Sequence, residues 1–148
     1  MKILVVDDMI SMRHVMMHML RNLGFEDIDE ASDGTQALDK LNKRNYDILI
    51  TDYYMPNMNG KQLLERIRYK EELKDLAVLM VSCEDDKEKI KSLITAKISG
   101  FIIKPFTSNT LKQQIKWIES CDCSHEKIIA QKAAKDAAKN GDKEIKIE

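Results

Sequence analysis

The stretch Tyr46-Asp-Ile-Leu-Ile-Thr-Asp52 is an apolar run that ends in a carboxylate. A loop follows at once, Tyr53-Tyr-Met-Pro-Asn-Met-Asn-Gly60, and its proline, asparagines and glycine favour turns. A short run of Ile and Leu that ends in this way is typical of a buried strand. The sequence therefore predicts a strand that delivers Asp52 to the edge of a sheet.

Other apolar runs predict four further strands, and helical patterns lie between all of them. The predicted strands are Lys2–Val6, Asp27–Ala31, Ala77–Val81 and Gly100–Ile103. The predicted helices start near Ser11, Asp33, Gly60, Asp85, and Thr107 or Ser108. Regular alternation of strands and helices predicts an α/β fold with a parallel sheet and helices on both faces.

The first predicted helix is rich in methionine and ends at Gly24. Apolar residues at helical spacing, which we expect to face the core, are Met12, Val15, Met16, Met19 and Leu23. His14 and His18 lie four residues apart on the other face. Because no third ligand is evident, this pair predicts a solvated face rather than a metal site.

Composition excludes several classes of protein. The 148 residues are 43% apolar and 33% charged, with a net charge of −1, so no global field favours nucleic acid or a membrane surface. We expect neither a signal peptide nor a membrane span. Three cysteines, Cys83, Cys121 and Cys123, form no disulfide framework, which favours a cytoplasmic protein.

Polar residues of particular kinds follow four of the predicted strands: Asp7-Asp8, Asp52, Ser82 and Lys104. The carboxyl ends of parallel strands share one edge, where ligands bind in such folds. Two carboxylates about 4 Å apart repel by roughly 4 kcal/mol at an effective dielectric near 20. A cluster of this kind favours Mg²⁺ held by carboxylates together with a phosphate. The spacing of a Ca²⁺ loop is absent.

The same four strand ends indicate phosphoryl chemistry. Lys104 offers a point charge and Ser82 a hydroxyl to phosphate oxygens. Asp52, alone at the end of its strand, suits a nucleophile, since carboxylates form aspartyl phosphates. The alternative is a chance set of polar strand ends, and the ordered combination on four strands argues against it.

Those residues belong to a longer set of motifs, spread over about residues 1–120, by which the chain resembles the response-regulator receiver domain family. The motifs are Ile3-Leu-Val-Val-Asp-Asp8, Met12-Arg13, Leu23-Gly-Phe25, Ala31-Ser-Asp-Gly34, Met55-Pro-Asn-Met-Asn-Gly60, Val78-Leu-Met-Val-Ser82 and Ser99-Gly-Phe-Ile-Ile-Lys-Pro-Phe-Thr107. The resemblance implies a flavodoxin-like (βα)5 fold, a doubly wound parallel five-stranded sheet in the order 2-1-3-4-5.

The resemblance also implies a role for each site residue. Asp52 would be the phosphoacceptor, assisted by Ser82 and Lys104, and the bond before Pro105 would be cis. Phe101 would be the switch aromatic, paired in its action with Ser82. The implied Mg²⁺ ligands are Asp7, Asp8, Asp52 and the backbone carbonyl of Tyr54, with Asp7 acting through metal-bound water. The implied tuning residues, which would set the lifetime of the phosphorylated state, are Tyr54, Cys83 and Glu84.

As a function, the resemblance implies a single-domain response regulator rather than an enzyme with an external substrate. A histidine kinase of the chemotaxis type would supply the phosphoryl group, and the face formed by the fourth helix, fifth strand and fifth helix would bind a partner. That partner would be the flagellar motor switch, and a phosphatase could reset the signal. The alternatives are a phosphorelay intermediate or phosphate sink, and a haloacid-dehalogenase-type phosphohydrolase. The last usually carries a second acid two residues after the nucleophile, where this chain has Tyr54.

A change in composition near residue 120 separates the predicted receiver domain, residues 1–120, from a tail, residues 121–148. The tail is rich in Ala and Lys, and we expect it to form a helix with alternating charges. Its Cys121-x-Cys-x-His125 segment offers three metal ligands, but structural Zn²⁺ needs a fourth and a different spacing.

Overall fold

The computed structural model describes residues 1–83 and 87–120. Along these residues strands and helices alternate regularly. The strands are β1 (Lys2–Val6), β2 (Asp27–Ala31), β3 (Ile48–Asp52), β4 (Ala77–Ser82) and β5 (Gly100–Ile103). The helices are α1 (Ile10–Asn22), α2 (Gly34–Lys43), α3 (Gly60–Tyr69), α4 (Lys87–Thr95) and α5 (Ser108–Ser120). Glu84 and the predicted tail, residues 121–148, lie outside the described residues.

The strands form one parallel sheet in the order β2-β1-β3-β4-β5. This order confirms the prediction, and β2, the most polar strand, lies at an edge as its sequence indicates. The chain reverses direction along the sheet between β1 and β3. Ligands of such sheets bind at this point, beyond the carboxyl ends of the strands.

Apolar side chains cover both faces of the sheet. In β1, Leu4 and Val6 join one cluster while Ile3 and Val5 join the other, because successive side chains of a strand point to opposite faces. The first cluster packs against α2, α3 and α4, and the second against α1 and α5. This two-sided burial explains why the central strands appear in the sequence as continuous apolar runs. No helix among the described residues is long and apolar enough to cross a membrane.

The buried face of α1 differs from the predicted one. The helix buries Met16, Met17 and Leu20, whereas Val15 is 47% exposed. Its N-cap is Met9 rather than Ser11, and no side chain caps it. The sequence of α1 is so rich in apolar residues that two overlapping faces satisfy helical spacing, so periodicity alone could not select one of them.

Candidate functional site: an acidic cluster at the carboxyl edge of the sheet

Three aspartates meet where β1 and β3 end. The two strands are hydrogen-bonded neighbours that pair Val6 with Thr51, so the residues that follow, Asp7 and Asp52, are adjacent. Asp8 comes next along the chain. Carboxylate oxygens of all three lie within 4.8 Å of one another. Asp7 is buried, Asp52 is half-buried and Asp8 is exposed, so the cluster opens to solvent on one side.

The lysine that follows β5 faces this cluster. Lys104 Nζ lies 3.4 Å from Asp52 Oδ1 and 3.7 Å from Asp7 Oδ2. Its own backbone N–H donates to the Ser82 carbonyl at 2.8 Å, which places the end of β5 beside the end of β4. The Lys104–Pro105 peptide bond is cis, as the resemblance implies. The structure thus brings Ser82 and Lys104 to the same sheet edge as the aspartates.

Burial sets the ionisation of Asp52. Desolvation raises the pKa of its carboxyl group above the ordinary value, and the negative charge of Asp7 raises it further. Lys104 and the Tyr53 N–H, which donates to Asp52 Oδ1 at 2.9 Å, lower this pKa but do not cancel the effect of burial. The site therefore carries more negative charge than the ammonium group of Lys104 neutralises.

The donor set of this cluster fits a hard divalent cation. Carboxylate oxygens are the ligands that Mg²⁺ prefers, and it usually takes one or two of them from the protein and keeps several waters. A cation there would stabilise the ionised form of Asp52, which burial and the charge of Asp7 disfavour. Within the described residues, this is the only group of three or more His, Cys, Asp or Glu side chains close enough to share an ion.

Gly60 allows the loop after β3 to fold tightly against Asp52. A Cβ atom at position 60 would lie 2.5 Å from the Asp52 carbonyl oxygen and 2.6 Å from Met80 Sδ. The Gly60 N–H donates to the Tyr53 carbonyl at 2.7 Å. An Asn59–Gln62 capping box then starts α3. The sequence predicts a turn here, but it does not reveal that the Asp52 carbonyl oxygen lies where a side chain at position 60 would be.

The proposed switch and tuning residues occupy different environments. Phe101 is 5% exposed and packs in the apolar cluster on the α3–α4 face, beside its strand partner Met80. Tyr54 is 44% exposed, and Cys83 is also exposed. The Tyr54 hydroxyl accepts a hydrogen bond from Lys89 of α4.

Sequence analysis missed two residues next to the site. Arg13 donates to the Asp7 carbonyl at 2.7 Å and to Glu30 Oε1 at 2.6 Å, and its side chain is only 11% exposed. Arg13 lies outside the predicted apolar face of α1, so helical spacing alone gave it no role, and its contacts depend on the observed rotation of that helix. Lys89, from α4, was missed because nothing in its sequence context indicates two tyrosines nearby.

This fold and site define a class of protein that comparison with known families identifies. A model of the response regulator receiver domain matches residues 3–116, so the chain belongs to that family. The family inferred from the sequence motifs is thereby confirmed. Receiver domains of this kind are signalling proteins.

Within the family, the chain is similar to chemotaxis proteins. Chemotaxis protein CheY-3 of Vibrio cholerae is 47% identical over 115 residues, which are 78% of this chain and 88% of that protein. Chemotaxis protein CheY of Pseudomonas aeruginosa is 46% identical over 118 residues, 80% of this chain and 95% of that protein. The solved structure of chemotaxis response regulator CheY4 of Vibrio cholerae matches with a TM-score of 0.72 at 34% identity, covering 78% of this chain and 95% of that one.

Proposed function

We propose that this chain is a phosphorylation-dependent signalling protein whose receiver domain, residues 1–120, accepts a phosphoryl group on Asp52 from a histidine kinase. The observation that carries the proposal is the approach of Lys104 to Asp52 at 3.4 Å, beside the carboxylates of Asp7 and Asp8. A structural ion pair would match these charges one to one, whereas here Lys104 faces two carboxylates, those of Asp7 and Asp52, with the Asp8 carboxylate close to both. Such a site favours a divalent cation and a phosphoryl group arriving together.

In the proposed reaction, an Asp52 carboxylate oxygen forms a bond to phosphorus while the bond from phosphorus to the kinase histidine breaks. The released imidazole nitrogen regains a proton. The Lys104 ammonium group binds phosphoryl oxygens that move toward Asp52, and the Ser82 hydroxyl donates to one of them after transfer. The Tyr53 N–H orients the attacking carboxylate through Oδ1.

Mg²⁺ is the cation that we propose for this site. Its ligands would be Asp7, Asp8, Asp52 and the Tyr54 carbonyl, with Asp7 acting through bound water. When bound, Mg²⁺ supplies positive charge that screens the carboxylate from the phosphoryl oxygens. Asp52 must be ionised to attack, and its raised pKa is one reason for a cation to be needed.

We propose that the output is a change of protein partner in chemotaxis, with the flagellar motor switch as target and a phosphatase ending the signal. The similarity to CheY proteins supports this proposal. Phosphorylation would act through Ser82 and Phe101 on the face formed by α4, β5 and α5. Moving such a switch from mostly off to mostly on needs about 5.5 kcal/mol of differential binding. Charge-assisted bonds from Ser82 and Lys104 are of the appropriate order.

The test uses the full chain with Mg²⁺ and labelled acetyl phosphate. We expect a hydroxylamine-labile label on the wild type, none on Asp52→Asn, and normal labelling of Asp39→Asn, whose carboxylate is exposed on α2. An equal label on Asp52→Asn would show that Asp52 is not the acceptor. Steady release of phosphate from simple esters would instead support a phosphohydrolase.

A second measurement tests the output. Binding of a motor-switch peptide is compared with and without beryllofluoride, which imitates an aspartyl phosphate. We expect tighter binding with beryllofluoride, and no such change in Asp52→Asn. A wild type that is modified but ignores the peptide would favour the relay or phosphate-sink function over the motor.

A further inference from the structure

Lys89 of α4 connects this helix to the loop that follows the proposed phosphoacceptor, Asp52. Its Nζ lies 4.7 Å from the centroid of the Tyr54 ring and 5.4 Å from that of Tyr53. It also donates a hydrogen bond to the Tyr54 hydroxyl. The two rings contact each other, with centroids 4.8 Å apart and planes inclined by 60°. One cation therefore engages two aromatic faces and a hydroxyl at once.

The aromatic pair is joined directly to Asp52. The Tyr53 N–H donates to Asp52 Oδ1, and the Tyr53 carbonyl accepts from Gly60, so the backbone beside the acceptor is held from both sides. Because rigid, bonded groups transmit displacement, moving the two rings would move the N–H that orients the acceptor. The contacts of Lys89 thus extend in an unbroken series from α4 to the Asp52 carboxylate.

These contacts also join α4 to the loop that follows β3. Tyr53 and Tyr54 belong to the loop after β3, whereas α4 comes after β4 in the chain. Ser82 is the last residue of β4. In the sheet, Asp52 pairs with Val81, immediately before Ser82. The contact between this loop and α4 therefore spans the boundary between β3, which provides the acceptor, and β4, which provides the hydroxyl.

We propose that Lys89 is a positioning residue that holds Tyr54 across this boundary and slows the attack of water on phosphorylated Asp52. This inference rests on the proposed function. Lys89 acts through Tyr53 and Tyr54 and is not itself a catalytic residue. The lifetime of the phosphorylated state would then depend on a side chain of α4 as well as on the loop after β3. It would also depend on the position of α4.

The experiment measures first-order decay of the phosphorylated protein after removal of acetyl phosphate, in excess Mg²⁺. Because a partly exposed cation–aromatic contact corresponds to a few-fold effect on a rate, we expect Lys89→Met to decay about two- to fivefold faster than the wild type. Lys89→Arg retains the contact with both rings and should restore a lifetime close to that of the wild type. The matched control is Lys91→Met, which removes an exposed lysine of the same helix and should leave the decay unchanged.

A double-mutant cycle with Tyr54→Leu tests whether Lys89 acts through the tyrosine. We expect the double variant to decay no faster than Tyr54→Leu alone, because the hydrogen bond and the ring contact between Lys89 and Tyr54 are already absent from that variant. Multiplied effects would overturn the proposal, and so would an unchanged lifetime of Lys89→Met. Mg²⁺ affinity, measured by calorimetry, should be the same in wild type and Lys89→Met. A fall in that affinity would show that Lys89 acts through the acidic cluster instead.

The results separate this inference from the function on which it rests. If the wild type takes up no label, the proposed function and the role of Lys89 both fail. If the wild type is labelled on Asp52 and Lys89→Met decays at the same rate, only the role of Lys89 fails. Thermal unfolding of each variant shows whether a change in lifetime reflects loss of the fold.

Discussion

Two groups of charged residues lie side by side in this molecule, and they differ in how far basic side chains balance their negative charges. In the acidic cluster, Asp7 and Asp52 share one lysine, Lys104, and the Asp8 carboxylate lies close to both of them. At the β2 edge, by contrast, each acid has a basic partner. The pairs there are Arg13 with Glu30, Arg44 with Asp29, and Lys2 with Asp27.

The ionisation of the two groups shows the difference. A hydrogen bond from Arg13 holds the pKa of Glu30 below its ordinary value, so the fold favours the charged form. Burial and Asp7 raise the pKa of Asp52, so the fold opposes the charged form. A pKa shift is a difference in stability between protonation states. The ionised form of Glu30 therefore stabilises the fold, whereas the ionised form of Asp52 destabilises it, which favours a ligand at the acidic cluster.

Arg13 touches both groups, and its removal should have the largest effect on stability. We expect Arg13→Ala to lower the free energy of unfolding by about 2–3 kcal/mol, since hydrogen bonds to charged groups contribute about 1.5–3 kcal/mol. The measurement is urea denaturation. Arg21→Ala, which removes an exposed arginine from the same helix, is the control and should change the value by less than about 0.5 kcal/mol. Equal effects of the two substitutions would mean that the contacts of Arg13 with Asp7 and Glu30 carry no net stability.

Asp52→Asn should move stability in the opposite direction. In metal-free buffer at neutral pH we expect a gain of about 1–2 kcal/mol, because a buried charge beside a like charge is removed. A raised folded pKa means that ionisation opposes folding, so the gain should shrink as pH falls through that pKa toward the ordinary value of 3.8. Asp39→Asn, at an exposed ion pair, should show no gain. If Asp52→Asn is instead less stable than the wild type, the Asp52 carboxylate stabilises the fold, as the paired acids at the β2 edge do.

Bound Mg²⁺ should offset the loss of stability that the clustered carboxylates cause. At a free concentration about ten times its dissociation constant, a ligand that binds only the folded state adds about 1.4 kcal/mol to the free energy of unfolding. We expect this gain in the wild type and a much smaller one in Asp52→Asn. Thermal unfolding at several Mg²⁺ concentrations measures both. The same gain from NaCl at matched ionic strength would indicate general screening rather than a site.

Most of the fold could be predicted from the sequence, and the acidic cluster with it. The buried strands appear as continuous apolar runs, and parallel strands bring their carboxyl ends to one edge, so Asp7, Asp52 and Lys104 had to converge. The rotation of α1 could not be predicted, because its many apolar residues leave two faces equally good. Contacts that depend on how a helix sits on the sheet were therefore missed, as Arg13 and Lys89 show.

The smallest expected effect concerns the Arg13–Glu30 pair alone. Glu30 is 40% exposed, so solvent screens the pair, and we expect Glu30→Gln to cost less than about 1 kcal/mol at neutral pH. Because the folded pKa of Glu30 is depressed, its contribution is present above the ordinary value of 4.5 and lost as pH falls through the folded pKa. The difference in free energy of unfolding between wild type and Glu30→Gln should therefore vanish in acid.

Denaturant midpoints at a series of pH values measure this difference. The control is Glu65→Gln, whose partner Lys61 lies 3.6 Å away in an exposed helical pair and which should show little difference at any pH. Asp52→Asn should gain stability over the neutral range in which Glu30→Gln loses it. If the change in free energy of unfolding has the same sign and the same pH dependence in both variants, the contrast between paired and clustered charges does not hold. The stability of the protein would then give no reason to expect a ligand at the acidic cluster.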